Sequence, residues 1–93
     1  MKALFVPLRR EWFDAFRHGQ KSEEWRRYGK QWNERVCWIG RPVTLSLGYR
    51  STRLLGIITS FRIAPARGGA AKLYGDGTPC AVIGIALDVT AST

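Results

Sequence analysis

The spacing of hydrophobic and polar positions changes several times along the 93-residue chain. The short apolar run Lys2–Val6, ended by Pro7, predicts a first β-strand. From Leu8 the large apolar residues recur at helical spacing, and Gly19 follows where a left-handed C-terminal cap is expected. The first quarter of the chain therefore predicts a strand followed by a helix.

The second half has the alternating pattern of β-strands. Val43–Arg50 alternates apolar and polar residues, and Leu54–Ile63 places Leu55, Ile57 and Phe61 on one face, so we expect the two runs to pair as a hairpin. Ala81–Val89 is apolar on one face and small on the other, which the interior of a barrel explains.

Two further segments connect these runs. Gly29–Trp38 carries Trp32 and Val36 at helical spacing and predicts a second short helix. Pro65–Pro79 is rich in Gly, Ala and Pro without a period, and it predicts a long flexible loop of the kind that often serves function. The whole pattern predicts one α+β domain over 1–93, with about five strands and two short helices.

Composition adds a strong charge bias to this picture. Apolar residues make up 45% of the chain, enough for a packed core, and the four tryptophans are expected there or at its edge, with Trp25 the most exposed. Fifteen Lys+Arg against seven Asp+Glu give a formal net charge of +8, which favours a polyanionic partner. A basic surface also serves solubility, so charge by itself leaves the partner open.

The stretch Gly19–Arg26 combines a glycine with Lys21, Glu24 and Arg26. On an extended chain Glu24 and Arg26 share a face that excludes Lys21, so Lys21 meets Glu24 only if it lies in the turn before the strand. We predict a strand over Lys21–Tyr28. The rival interpretation continues the helix and places Lys21, Glu24 and Tyr28 on one helical face.

Written as G-x-K-x-x-E-x-R, this stretch resembles the signature of the ASCH family. The resemblance implies a small PUA-like β-barrel associated with RNA. It also implies that Lys21, Glu24 and Arg26 face a cleft between the barrel and the helices. The remainder of the chain matches the family only in outline.

RNA binding through a basic cleft is accordingly the principal functional hypothesis, with DNA as an alternative partner. Arginine side chains match phosphate geometry, and aromatic rings such as Tyr28 or Trp25 stack on unpaired bases. The candidate nucleic-acid-binding residues are Lys21, Arg26, Arg27, Tyr28, Lys30, Arg50 and Arg53.

The competing hypothesis is catalytic, with Lys21 and Glu24 as the reacting groups of a metal-independent ribonuclease. One branch of the ASCH family removes the acetyl group of N4-acetylcytidine with the motif lysine, a threonine three positions on and a later acidic residue. This chain has Glu24 at the threonine position and no glutamate after Glu34, so such an amidohydrolase function requires Asp76 as a substitute.

Two simpler interpretations need no RNA. Lys21, Glu24 and Arg26 can form an ion-pair cluster that only fixes the strand to the helix. A basic face can also bind an acidic protein. His18, the only histidine, is expected to cap the helix end and is a weak catalytic candidate because of its nearness to Lys21.

The remaining residue types indicate no metal site and no cofactor. Cys37 and Cys80 lie far apart without a C-x-x-C pair, as expected for free buried thiols in a reducing compartment. The N-terminal apolar run is too short for a signal peptide or a membrane span, and we expect a cytoplasmic protein with no membrane partner.

Overall fold

A computed structural model describes residues 2–88 of the chain. Its elements in chain order are β1 (Leu4–Leu8), α1 (Arg10–Arg17), β2 (Glu23–Arg27), β3 (Pro42–Leu47), β4 (Arg53–Pro65), α2 (Gly68–Tyr74) and β5 (Pro79–Leu87). Five strands and two helices confirm the predicted α+β fold class. Val89, the expected end of the last strand, lies outside the described residues.

The five strands form one curled mixed sheet, a half-barrel, in the order β1-β3-β4-β5-β2. β1 runs parallel to β3, and all other neighbours are antiparallel. The antiparallel pairing of β3 with β4 confirms the predicted hairpin. β1 and β2 are therefore the two outer strands of the sheet.

The core lies in the hollow of the sheet under α1. Phe13 and Phe16 of this helix are buried and belong to one cluster with Leu45, Ile58 and Ile83 of the sheet. Complete burial of side chains of this size contributes about 1.5–3 kcal/mol each. The packing of these two phenylalanines places the C-terminal half of α1, and with it the residues before β2, against the sheet.

β1 continues through the proline that was expected to end it. Pro7 pairs with Ser46 in the parallel ladder. A proline is tolerated there because β1 is an outer strand, where one side of the backbone needs no amide hydrogen bond.

β4 carries a bulge between Ile58 and Ser60, where its register against β5 shifts. Leu55 and Ile57 are exposed, whereas Phe61 packs against the core. The expectation that these residues share one face was wrong, because one extra residue reverses the alternation of the strand.

Residues 29–38 form turns and bends instead of the predicted second helix. The side chain of Asn33 bonds to backbone groups at both ends of the segment: Nδ2 donates to the Gly29 carbonyl at 2.8 Å, and Oδ1 accepts from the Val36 amide at 3.1 Å. Asparagine competes in this way with helical hydrogen bonds. Trp32 and Val36 nevertheless pack against the core, as their spacing indicated.

The second helix lies instead within the segment predicted as a loop. α2 is built from Ala70, Ala71, Lys72 and Leu73, all good helix formers. Gly68 and Gly75, with φ of 57° and 100°, bend the chain at its two ends. Because this helix is short and flanked by glycines, hydrophobic periodicity does not predict it.

Candidate functional site

The outer strands β1 and β2 meet at a seam that side chains, rather than backbone ladders, hold together. Arg26 on β2 donates from Nη2 to the carbonyl oxygen of Pro7 on β1 at 2.7 Å. The same guanidinium donates from Nε to Glu24 at 2.6 Å and lies over the ring of Trp32, 4.8 Å from its centroid. Only 17% of the Arg26 side chain is exposed, so these contacts hold the guanidinium in one position.

Glu24 lies buried between two cations. One carboxylate oxygen accepts from Arg26, and the other is 3.5 Å from the ammonium of Lys21. A buried carboxylate requires such partners, because desolvation without them is costly. The predicted cluster of Lys21, Glu24 and Arg26 is thus present.

Lys21 reaches Glu24 from the turn before β2. Its backbone amide donates to the Ala15 carbonyl at 3.1 Å, and Gly19 has the left-handed φ of 74° expected for the cap. Since α1 ends at Arg17, the prediction that Lys21 lies in the turn is confirmed, and the rival continuous helix is wrong. The Lys21 ammonium also lies over the rings of Trp12 and Phe16, at 5.3 and 5.6 Å.

These side chains line an open cleft of about 680 Å³ between the seam and the two helices. Pro7 and Leu8 contribute from β1, and Leu73 contributes from α2. The volume lies within the range of small-molecule binding sites. Among the described lining residues, the charged side chains are four cations and one carboxylate: Arg9, Lys21, Arg26, Arg67 and Glu24.

Aromatic residues occupy the cleft walls between these charges. Trp25 has Arg62 and Arg67 against its ring, each 5.8 Å from the centroid. The hydroxyl of Tyr74 lies 3.5 Å from the Trp25 carbonyl, and burial raises the pKa of that phenol. Trp12 is 39% exposed and Trp38 38%, both more than Trp25, so the expectation that Trp25 is the most exposed tryptophan was wrong.

A second, smaller groove of about 340 Å³ adjoins the cleft. Arg26 and Tyr74 line both concavities and form the ridge between them. The groove adds Arg27, Tyr28 and Lys30 on its own side.

Tyr28 is tied to the neighbouring turn. Its hydroxyl donates to the carboxylate of Glu34, with oxygen distances of 2.6 and 2.9 Å. This bond raises the pKa of Tyr28 and lowers that of Glu34.

The structure separates the predicted site residues, catalytic and nucleic-acid-binding candidates together, into two groups. Six lie at the cleft or the adjoining groove: Lys21, Glu24, Arg26, Arg27, Tyr28 and Lys30. Arg50 and Arg53 line neither concavity, so the structure does not bring them to the cleft. Arg53 bonds Ser46 and lies 5.0 Å from the Phe5 ring centroid, while Arg50 lies exposed in the β3–β4 turn.

His18 and Asp76 are not part of the cleft lining either. His18 is the exposed C-cap of α1, as expected. Asp76 lies beyond the end of α2 and does not line the cleft, where the amidohydrolase hypothesis requires an acidic residue.

Sequence reasoning missed four side chains that line the cleft: Arg9, Trp12, Arg67 and Tyr74. Trp12 was assigned to the core because it belongs to the apolar stripe of α1. The signal for Arg67 and Tyr74 was weak, since both lie in the segment predicted as a loop. Their positions follow from the docking of α2 beside β2.

Neither a metal-binding cluster nor a membrane-spanning helix is found in the described part of the chain. Across residues 2–88, no three His, Cys, Asp or Glu side chains lie together in a way that could hold a metal ion. Neither α1 nor α2 is long and apolar enough to cross a membrane. Cys37 and Cys80 are buried free thiols, and burial raises the pKa of each.

Comparison of the chain with family models and with curated proteins finds no match.

Proposed function

We propose that this chain is an ASCH-like, PUA-like domain that binds single-stranded or unpaired RNA in the cleft at the β1–β2 seam. The observation that carries the proposal is the excess of cations over carboxylates in a cleft that also has aromatic walls. Phosphate groups are bound by Lys and Arg, and unpaired bases by aromatic faces. One cleft that offers both suits a nucleotide better than it suits an acidic peptide.

The cations of the cleft differ in how they are held. Lys21 and Arg26 are fixed by Glu24, so they are oriented before a ligand arrives. Orientation of this kind reduces the entropy lost on binding. Arg67 is exposed at the rim beside Trp25, where it can approach a phosphate while Trp25 stacks on a base.

The same ion pairs favour binding over catalysis. Each oxygen of Glu24 faces a cation of the protein, at 2.6 Å for Arg26 and 3.5 Å for Lys21. A general base must instead lie within hydrogen-bonding reach of a substrate proton. Glu24 therefore acts in this proposal as the group that positions Lys21 and Arg26.

The test measures the affinity of the purified protein for a fluorescently labelled pool of random hexaribonucleotides at several salt concentrations. We expect log K to fall linearly with log salt, at about 0.7 per phosphate contacted. Arg67→Gln removes the exposed rim charge beside Trp25, and it should reduce affinity by about tenfold or more. Lys21→Gln should have a similar effect.

Arg50→Gln is the matched control, because it removes the same charge from an exposed arginine outside both concavities. Affinity that is independent of salt, or that falls equally in Arg50→Gln and Arg67→Gln, would contradict a specific cleft. Circular dichroism and melting temperature establish that each variant is folded. Cleavage of the labelled RNA in the presence of chelator, abolished by Lys21→Gln, would favour the ribonuclease hypothesis instead.

A further inference from the structure

We infer that the cleft and the adjoining groove bind consecutive nucleotides of one RNA strand, so that the strand crosses the ridge formed by Arg26 and Tyr74. This inference rests on the proposed function and specifies the ligand: a strand of at least two nucleotides rather than a free nucleotide. The groove is the second subsite.

The cleft and the groove share two wall residues. Arg26 and Tyr74 line both concavities, so the two spaces are separated only by the thickness of these side chains. Volumes of about 680 and 340 Å³ give each space room for part of a nucleotide. A free mononucleotide in the cleft would leave the groove unused.

The chemistry of the groove repeats that of the cleft. Lys30 and Arg27 are exposed cations, and Trp32 and Tyr28 provide aromatic surface. The Tyr28 hydroxyl is held by Glu34, which restrains the phenol in the groove wall. Positive charge interleaved with aromatic rings is the arrangement by which proteins follow a single strand.

Arg26 is suited to the phosphate between the two nucleotides. Its side chain is fixed by Glu24, by the Pro7 carbonyl and by the ring of Trp32. A guanidinium has five N–H donors, of which these two hydrogen bonds use two. The remaining donors are available to a phosphate that crosses the ridge.

The four tryptophans of the chain allow the second subsite to be tested directly by NMR. Their indole N–H signals report separately on the cleft, on the groove and on a surface outside both. Trp12 and Trp25 line the cleft, Trp32 lines the groove, and Trp38 lines neither. An equimolar mixture of the four nucleoside 5′-monophosphates should shift the signals of Trp12 and Trp25 only. A random hexaribonucleotide pool should shift these two and Trp32 and leave Trp38 unchanged.

A charge variant provides the second readout. Lys30→Gln should reduce hexamer affinity and lower the slope of log K against log salt by about 0.7, the value for one phosphate contact on a single strand. Its effect on mononucleotide affinity should be smaller than its effect on hexamer affinity. Lys2→Gln, which removes the same charge from an exposed lysine outside both concavities, should change neither.

A hexamer that leaves Trp32 unshifted, or an effect of Lys30→Gln no larger than that of Lys2→Gln, would overturn the second subsite while the cleft remains a binding site. If neither probe shifts any indole signal, the proposed function fails, and the second subsite with it. A hexadeoxyribonucleotide pool that produces the same shifts would support the two-subsite path and show that the 2′-hydroxyl does not determine it.

Discussion

The guanidinium of Arg26 donates to the carbonyl oxygen of Pro7 at 2.7 Å and thereby joins the two outer strands of the sheet. The half-barrel is held at this seam by a side chain that also binds the buried carboxylate of Glu24. Architecture and candidate site thus depend on the same residue.

Arg26→Gln should therefore destabilise the fold. The substitution removes the bond across the seam and one of the two cations at Glu24, and loss of charged hydrogen bonds of this kind costs about 1.5–3 kcal/mol. Urea denaturation of both the variant and the unmodified protein measures the difference. Arg27→Gln, at the exposed adjacent position, should change stability by less than about 0.5 kcal/mol. Equal loss of stability in the two variants would contradict the role of Arg26 in joining β1 to β2.

The stability of the protein should depend on pH through Glu23. A hydrogen bond from Arg62 at 2.6 Å is the largest cause that lowers the pKa of Glu23 below 4.5. A lowered carboxyl pKa in the folded state stabilises the fold above pH 4.5, and this contribution is lost as the pH falls through the folded-state pKa. Because the pair is substantially exposed, the contribution should be below about 1 kcal/mol.

Glu23→Gln should then lose less stability than the unmodified protein when the pH is lowered below 4.5. Arg62→Gln should have the same effect, and the double variant should add nothing to it. Denaturation midpoints measured across the acid range decide this. Parallel pH profiles for all four proteins would show that the ion pair makes no contribution.

Gly56 on β4 should not tolerate a larger residue. A Cβ at this position would lie 2.6 Å from the carbonyl oxygen of Ala86 on the paired strand, so the backbone would have to move. Overpacking of this kind costs about 1–3 kcal/mol, and Gly56→Ala should lower the melting temperature. Gly69→Ala in α2 meets no atom within 4 Å and should raise it, because alanine favours helix. A Gly56→Ala variant as stable as the unmodified protein would contradict the close approach of β4 to β5.

Both cysteines should resist a thiol reagent such as DTNB in the folded protein. Cys37 and Cys80 have no exposed surface, and burial raises the pKa of each, so little thiolate is accessible. We expect two thiols to react promptly in urea and none on the same timescale in buffer. Tyr49→Cys, at a site that is 85% exposed, should add one promptly reacting thiol in buffer. Rapid reaction of the native thiols would indicate a looser core.

The local chemistry around Lys21 could be predicted from the chain alone. Gly19 ends the helix, and the parity of an extended strand then leaves Lys21 no route to Glu24 except from the turn. The β3–β4 hairpin was equally predictable, since alternation over neighbouring segments favours antiparallel pairing. These features depend on contacts between residues close in sequence.

The assembly of the cleft depends on contacts that alternation and charge do not encode. Arg67 and Tyr74 reach the site because α2 docks beside β2, more than forty positions away along the chain. Arg50 and Arg53 are as basic as Arg67 but lie on the hairpin, and only the strand order separates them from the cleft. Local periodicity determined α1, the strands and the turn that carries Lys21. The curl of the sheet and the packing of α2 decided which charges share one cleft, because both depend on the burial of surfaces from distant parts of the chain.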